Sequence, residues 1–289
     1  VEKMEQIILF GDCFVDTNEE QPAIGLEERG LQFGDGIYEV IRLYKGIYHL
    51  LEPHVARLYR SMNEIHLNPP FTKAELMKWL YELVERNRFI DDGIVYFQIS
   101  RGIQTRNHVF SPSTKPTWYA YLVKKERPMA WLQTGVNACL EEDVRWLRCD
   151  IKSLNLLPNV LAKANADRKG CAEALFVRNG IITEGSHSNF FLVKNGSLIT
   201  HPADNLILNG IVRQHILSLA AQLRIPVQEE LFTPKDVKEA DECFFTGTTT
   251  EVLPMTYLEG MPIGTGAVGP VTRQLQKAFQ ENIIYTKNL

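Results

Sequence analysis

The stretch Asp150-Ile151-Lys152-Ser153-Leu154-Asn155-Leu156-Leu157 places one lysine among apolar residues just ahead of a predicted helix. Lysine is a strongly hydrated point charge and is seldom buried. Where a lysine is buried, desolvation favours the neutral amine, a nucleophile able to form a Schiff base with a carbonyl. The ordinary alternative is a half-buried lysine whose stem lies over apolar surface with its head in water. The segment alone does not separate the two, so the rest of the chain has to be searched for the other parts that such chemistry needs.

Several segments could supply them. Thr183-Glu184-Gly185-Ser186-His187-Ser188-Asn189 lies where a predicted hairpin hands over to the next strand. A glutamate fixed at a strand end can hold a positively charged ring nitrogen through a charge-assisted hydrogen bond. The same residues would also make a plain polar turn. Asn209-Gly210-Ile211-Val212 opens a predicted helix, whose unpaired N–H groups suit a phosphate. Gly247-Thr248-Thr249-Thr250 offers a second set of backbone and hydroxyl donors, and Arg57, expected on the polar face of a helix after Pro53, could neutralise the same anion. Arginines on helix faces and glycines at helix starts are also common structural devices. In Arg106-Asn107-His108, two basic side chains in a long loop could clamp a carboxylate, the arginine bidentately, or could simply face water. Tyr38, in Gly36-Ile37-Tyr38-Glu39-Val40, reads as a strand aromatic or a substrate contact. There is no Gly-x-x-x-x-Gly-Lys-Ser/Thr loop, and Gly264-Thr265-Gly266 lies in a glycine-dense stretch, 260–269, that reads as a surface loop.

The elements that must position these residues follow from periodicity and turn chemistry. Strands are predicted over 6–10 and 37–44, with a turn at Lys45-Gly46 and a return over 47–50. Leu51, Val55, Leu58, Met62 and Ile65 recur at helical spacing, with Pro53 near the helix start. Thr72 and Glu75 form a capping box for a second helix. Strands over 95–99 and 117–123 flank the loop 101–116, which is long for a compact domain and therefore a candidate for function. The charged, proline-broken stretch Lys124-Lys125-Glu126-Arg127-Pro128 divides the chain into a smaller N-terminal domain (1–124), a linker (125–130) and a larger C-terminal domain (131–289). Beyond it a strand is expected over 135–141 and a helix over 158–169 that stops at Gly170. Hairpins turn at Asn179-Gly180 and Asn195-Gly196. A helix over 211–223, a short helix opened by Thr233-Pro234, a strand over 242–246 and a last helix over 270–282 complete an α+β (or α/β) chain of two domains.

Bulk properties narrow the class. With 289 residues, 45% hydrophobic and 23% charged, the chain can bury one large core or two ordinary ones. A net charge of −4 argues against a general nucleic-acid binder. Five scattered cysteines without a Cys-x-x-Cys point to free thiols in a reducing cytoplasm. The seven histidines fall in no ligand spacing, so no structural metal is expected. No apolar run approaches the roughly 20 residues of a membrane span. The opening Val1-Glu2-Lys3-Met4-Glu5 does not read as a signal sequence.

Three stretches carry a resemblance that spans nearly the whole chain: residues 28–40 (ERGLQFGDGIYEV), residues 145–155 (RWLRCDIKSLN), and Thr183-Glu184-Gly185-Ser186. They resemble the fold-type IV, pyridoxal-phosphate-dependent aminotransferases, and among these the members acting on D-amino acids. The resemblance implies a smaller N-terminal α/β domain and a larger C-terminal pseudo-barrel domain. It implies pyridoxal 5′-phosphate bound as a Schiff base to Lys152, which later shuttles the substrate proton. Glu184 would pair with the pyridine nitrogen and keep it protonated. Arg57, the backbone of Ile211 and Val212, and Thr248 would hold the phosphate. Ser188 and Asn189 would line the ring, and Leu208 would pack on the ring face away from the lysine. Tyr38, Arg106 and His108 would trap the substrate carboxylate, with Val40 and Gly247 beside the substrate. The Arg-x-His loop would reach the neighbouring subunit's site, implying a homodimer. The reaction implied converts D-alanine and 2-oxoglutarate to pyruvate and D-glutamate by a ping-pong route through pyridoxamine phosphate. Alternatives on the same fold are an aminodeoxychorismate lyase, an L-branched-chain aminotransferase and an R-selective amine aminotransferase; a further one is a binding protein that kept the fold and lost the activity. The chain departs from the family at Val212, often threonine, at Gly247, where serine is familiar, at His187, which replaces a small residue, and at Pro158-Asn159 in place of a Gly-Ala pair.

Overall fold

The chain falls into two units. Unit 1 comprises the described residues of Val1–Glu126, Ile151–Asn155 and Ile284–Leu289; unit 2 comprises Arg127–Asp150 and Leu156–Ile283. The computed structural model describes residues 6–284, so the opening Val1-Glu2-Lys3-Met4-Glu5 lies outside the described residues.

Unit 1 contains β1 (Ile7–Phe10), β2 (Cys13–Asp16), α1 (Arg29–Phe33), β3 (Gly36–Tyr44), β4 (Ile47–Tyr48), α2 (Leu51–Glu64), α3 (Lys73–Arg86), β5 (Gly93–Ser100) and β6 (Thr117–Lys124). The strands form an antiparallel sheet in the order β2-β1-β6-β5-β3-β4. Along β5, buried Gly93, Val95, Phe97 and Ile99 alternate with half-buried residues, so one face of the sheet carries the core. Val55, Leu58 and Met62 of α2 and Leu76, Leu80 and Leu83 of α3 pack into that face. The predicted capping box forms in both directions, from the Thr72 hydroxyl to Glu75 and back.

Residues 151–155 are the main departure from the simple N-terminal and C-terminal division. They run alongside the start of β3: Tyr38 N donates to Lys152 O at 3.1 Å and Leu154 N donates to Gly36 O at 3.0 Å. Lys152 thus belongs to unit 1, because its own backbone groups are satisfied there. At the end of α1, Gly34 adopts φ +66° and a side chain on it would approach Asn155 Oδ1 to 2.6 Å, which favours glycine where this segment lies.

Unit 2 contains α4 (Met129–Thr134), β7 (Val136–Glu142), α5 (Leu157–Arg168), β8 (Glu173–Arg178), β9 (Ile181–Gly185), β10 (Asn189–Lys194), β11 (Ser197–Thr200), α6 (Ile211–Gln222), β12 (Val227–Glu229), α7 (Pro234–Lys238), β13 (Glu242–Gly247), β14 (Glu251–Leu258), β15 (Met261–Pro262) and α8 (Pro270–Glu281). Helix α4 begins inside the stretch 125–130 expected as a linker, and β15 lies in the stretch 260–269 expected as a loop. The sheet order is β12-β11-β10-β13-β14-β7-β8-β9, with β15 added beside β14. Strand β9 is at one edge, yet it leads through a short turn into β10 near the other edge, so the sheet has to curl. Phe190, Leu192, Phe245, Leu253 and Met255 fill its interior. Both Asn-Gly turns have two consecutive residues at positive φ, 51° and 80° at Asn179-Gly180 and 51° and 74° at Asn195-Gly196, as a two-residue hairpin of this twist requires.

Candidate active site

In unit 1, strand alternation sets the first group of side chains. Tyr38 and Val40 are half-buried on one face of β3, while Ile37, Glu39 and Ile41 point into the core. The amine of Lys152 lies 3.4 Å from Tyr38 Oη and 4.4 Å from the centre of that ring. Tyr38 stacks on Tyr96, an aromatic that the sequence reading did not single out.

Arg57 was expected on a polar helix face; it is buried instead, because a carboxylate waits for it on the core side of the sheet. Its Nε and Nη2 donate to the two oxygens of Glu39 at 2.7 and 2.8 Å. His54 Nδ1 lies 2.8 Å from Glu39 Oε2. Burial works to raise the Glu39 carboxyl, but Arg57 and then His54 outweigh it and hold it at about 2. Burial lowers His54; Glu39 opposes this, while Arg57 and Lys152 add to it.

The loop 101–116 is tied down at its start. Arg101 and Arg29 both bind Asp35, at 2.9 and 2.7 Å, and Arg29 Nη1 donates to Asn107 O. The Arg106 guanidinium lies 4.6 Å from the Phe33 ring centre and the His108 ring 5.4 Å from it. Both Arg106 and His108 are exposed. The structure therefore gathers Arg106 and His108 on Phe33, and Lys152 on Tyr38.

In unit 2, Glu184 stands near the end of β9 and is 5% exposed. Its carboxylate receives Arg145 Nη1 at 2.5 Å, Asn189 Nδ2 at 2.9 Å and the N–H of Leu208 at 3.1–3.2 Å. Asn189 also donates to Leu208 O, so these three predicted cofactor contacts form one network. Arg145 shares its fork with Asp143, which in turn binds Arg178 and the Thr183 hydroxyl. Burial pushes the Glu184 carboxyl up to about 7, against the pull of Arg145 and the Leu208 N–H. For Asp143 burial also works upward, but Arg145 and Arg178 hold it at about 2.

Helix α6 follows Gly210, which supplies no side-chain cap, leaving the first N–H groups, at Ile211 and Val212, to other partners. A side chain on Gly210 would collide with Asn189 Oδ1. Thr248 lies in the turn after β13. Nearby, the hydroxyls of Thr246 and Thr250 are buried without a hydrogen-bond partner among the described residues. A side chain on Gly247 would approach Thr250 Oγ1 to 2.7 Å.

The chain matches the family model described as Amino-transferase class IV over residues 36–258. It is 43% identical over 277 residues to a D-alanine aminotransferase of Bacillus licheniformis, covering 96% of this chain and 97% of that protein. It is 45% identical over 281 residues to a D-alanine aminotransferase of Staphylococcus aureus (strain N315), covering 97% and 98%. The fold also matches that of the solved branched-chain amino acid aminotransferase of Escherichia coli, with TM-score 0.90, 25% identity, and 96% and 94% of the two chains covered. The chain belongs to the class IV aminotransferases.

The positions at which the sequence is expected to depart from its relatives, 158, 159, 187, 212 and 247, all lie in unit 2. His187 Nδ1 lies 2.8 Å from Glu173 Oε2, a buried carboxylate that also accepts from Ser186, Ser188 and the N–H of Ala174. Burial works to raise Glu173, but His187 and Ser186 hold it at about 2. Asn159 donates to Ser186 O at 2.8 Å, so Asn159 and His187 meet at the same turn. Val212 is buried in the first turn of α6.

Sequence reasoning missed Glu39, His54, Asp143, Arg145 and Glu173 as parts of these networks. A signal existed for Glu39: it is the one charged residue among the inward positions Ile37, Glu39, Ile41 and Leu43 of a strand. Arg145 and Asp143 are brought to Glu184 by tertiary structure across 39 and 41 residues, and no local spacing marks them.

Among the described residues, no group of three or more His, Cys, Asp or Glu could hold a metal ion, and no helix is long and apolar enough to cross a membrane.

Proposed function

We propose that this aminotransferase moves an amino group between D-amino acids and 2-oxo acids, converting D-alanine and 2-oxoglutarate to pyruvate and D-glutamate, with pyridoxal 5′-phosphate as its cofactor. The observation that carries the reading is the similarity to D-alanine aminotransferases at 43–45% identity along nearly the whole chain. The residues present fit such a cofactor. The uncapped start of α6 suits a phosphate, the buried hydroxyls of Thr246 and Thr250 lack partners among the described residues, and Glu184 is a buried carboxylate suited to a ring cation.

When bound, the cofactor supplies a carbonyl for the amino group and a ring that withdraws electrons from the substrate Cα. Lys152 Nζ is the attachment amine, and it moves the proton at the substrate Cα. Tyr38 Oη, 3.4 Å from that amine, orients it. Arg57, the N–H groups of Ile211 and Val212, and Thr248 bind the phosphate. Glu184 holds a proton on the ring nitrogen, while Ser188, Asn189 and Leu208 position the ring. Arg106 and His108 bind the substrate carboxylate with Tyr38, and Val40 and Gly247 shape the space beside it. Carboxylate placement then decides which enantiomer presents its Cα–H to Lys152.

We assign a homodimer, in which the 101–116 loop serves the partner's site. Leu26, Leu31, Ile103 and Val109, each more than half exposed, support a covering second copy. The five free cysteines fit a reducing cytoplasm. The structural likeness to a branched-chain aminotransferase keeps an L-specific enzyme as the second reading.

Absorbance of the holoenzyme before and after D-alanine or L-alanine tests the assignment. The visible cofactor band should be lost with D-alanine alone. A response to L-alanine instead would move the chain to the L-specific relatives, and pyruvate release without an amino acceptor would make it a lyase.

A further inference from the structure

The residue proposed to bind phosphate is already engaged by an anion. Arg57 gives Nε and Nη2 to Glu39, which leaves Nη1 as the nitrogen that Glu39 does not occupy. Glu39 is 1% exposed and Arg57 8%, so neither charge can be handed to water when a second anion arrives. The remaining group on Glu39 is His54, 1% exposed, with Nδ1 2.8 Å from Oε2. It comes from α2, one turn before Arg57, so one helix presents both bases to the same carboxylate.

With a neutral imidazole, Glu39 and Arg57 cancel, and the cluster is neutral. A phosphate ester docked on Arg57 adds up to two negative charges beside a buried carboxylate. A proton taken from water by the imidazole removes one of them and gives Glu39 a second cation, so Arg57 need no longer serve Glu39 with both nitrogens. Histidine is the side chain able to make that change near neutral pH.

We propose that His54 is a positioning residue for the phosphate site: it takes up one proton when the cofactor phosphate docks on Arg57, and the imidazolium then holds Glu39 while Arg57 turns to the phosphate. This rests on the reading that Arg57 binds the phosphate. Among the described residues, the charged and titratable groups that act most on His54 are Glu39 on β3, Arg57 on its own helix, and Lys152 on the 151–155 segment. In the structure as it stands, burial disfavours the charged imidazole, and Arg57 and Lys152 do the same; Glu39 alone favours it. An added anion shifts that balance toward the cation. The linkage has a definite sign: proton uptake on binding means that binding tightens as pH falls, by at most about tenfold per pH unit for one proton.

The test is calorimetric titration of cofactor-depleted full-length protein with pyridoxamine 5′-phosphate. This probe carries the same phosphate and cannot bond to Lys152. Titration in two buffers of different ionisation enthalpy gives the protons taken up per site. The wild type is expected to take up about one proton more near pH 7 than His54→Asn, whose amide can still donate to Glu39 but cannot become charged. Glu39→Gln should lose the excess uptake too, because the anion that retains the proton is gone. It serves as the second variant if His54→Asn does not fold. Equal uptake by the wild type and a folded variant overturns the proposal. Arg57→Ala checks the underlying reading separately: if it binds the probe as tightly as the wild type, Arg57 is not the phosphate ligand, and the role given to His54 falls with it.

Discussion

Arg57 in unit 1 and Arg145 in unit 2 each set a guanidinium against a buried glutamate, and the two carboxylates respond in opposite directions. Glu39 is held at about 2, whereas Glu184 is pushed up to about 7. Both are buried, so burial alone does not separate them. The difference lies in how the arginine is shared. Arg57 spends two nitrogens on one carboxylate, and His54 adds a third contact. Arg145 gives one nitrogen to Glu184 and divides the rest among Asp143, Thr183 and the carbonyl of Leu206. Asp143 takes two nitrogens of that cation and, being negative itself, presses Glu184 further up. A strongly paired carboxylate such as Glu39 serves as a fixed anchor. An underpaired one such as Glu184 is ready for a further cation, which is what a protonated ring nitrogen would be.

Substitutions test this contrast. Lys152→Ala should abolish transamination, a loss of roughly 10⁴-fold or more for the amine that both attaches and moves a proton. Both carboxylate clusters should survive it, since neither Glu39 nor Glu184 takes a hydrogen bond from Lys152, and circular dichroism should be unchanged. Retained turnover would remove Lys152 from the chemistry. Arg145→Ala should destabilise the protein by about 3–5 kcal/mol in denaturant unfolding, because two carboxylates lose a buried partner. A loss well under this would mean that Arg178 alone satisfies Asp143.

Glu184→Gln should lower turnover by roughly 10²-fold, the size of losing one well-placed charge-stabilising group. It should also lose about 1–3 kcal/mol of stability, because the amide offers one oxygen to the three donors that the carboxylate serves. Wild-type rates would refute its role at the ring. Arg106→Ala should raise KM for D-alanine and 2-oxoglutarate by about tenfold, in line with one charge-assisted hydrogen bond to a carboxylate. An unchanged KM would exclude it from the carboxylate trap.

The smallest effect is in acid stability. Glu39 has a folded value below its ordinary 4.5, so its contribution is present above pH 4.5 and is lost as pH falls toward about 2. Glu184 runs the other way: its folded value is raised, so ionising it weakens the fold as pH climbs from 4.5 through about 7. Stability profiles of Glu39→Gln and Glu184→Gln should therefore flatten in different windows, the first in acid and the second toward neutrality. Coincident profiles would mean that the two glutamates are not distinct.

Much of the scaffold was legible in the sequence because it is locally encoded. The capping box at Thr72, the Asn-Gly hairpins and the apolar stripes of α2 and α3 formed as read. Strand β14 was not legible, since Pro254 interrupts it and proline cannot donate to a ladder. Pro254 lies opposite Phe244 of β13, and pairing with β7 begins at the next residue, Met255. The five-residue helix α1 and the six-residue α4 are too short for periodicity to show. At the site, the lysine, the Glu184 turn and the start of α6 were visible as motifs. Glu39, His54, Arg145 and Asp143 were not, because their partnerships arise from folding rather than from spacing.

The five residues around Lys152 also govern how this chain can be cut and recombined. They lie between two stretches of unit 2 in sequence but are satisfied within unit 1. A gene split after Glu126 would leave the first fragment without its lysine. A chimaera with a relative joined at that point would pair one parent's β3 with the other parent's lysine segment. Working hybrids should therefore exchange residues 151–155 together with the first 126, including Asn155, which packs against Gly34. In evolutionary terms, the two units of this enzyme are not free to be inherited separately.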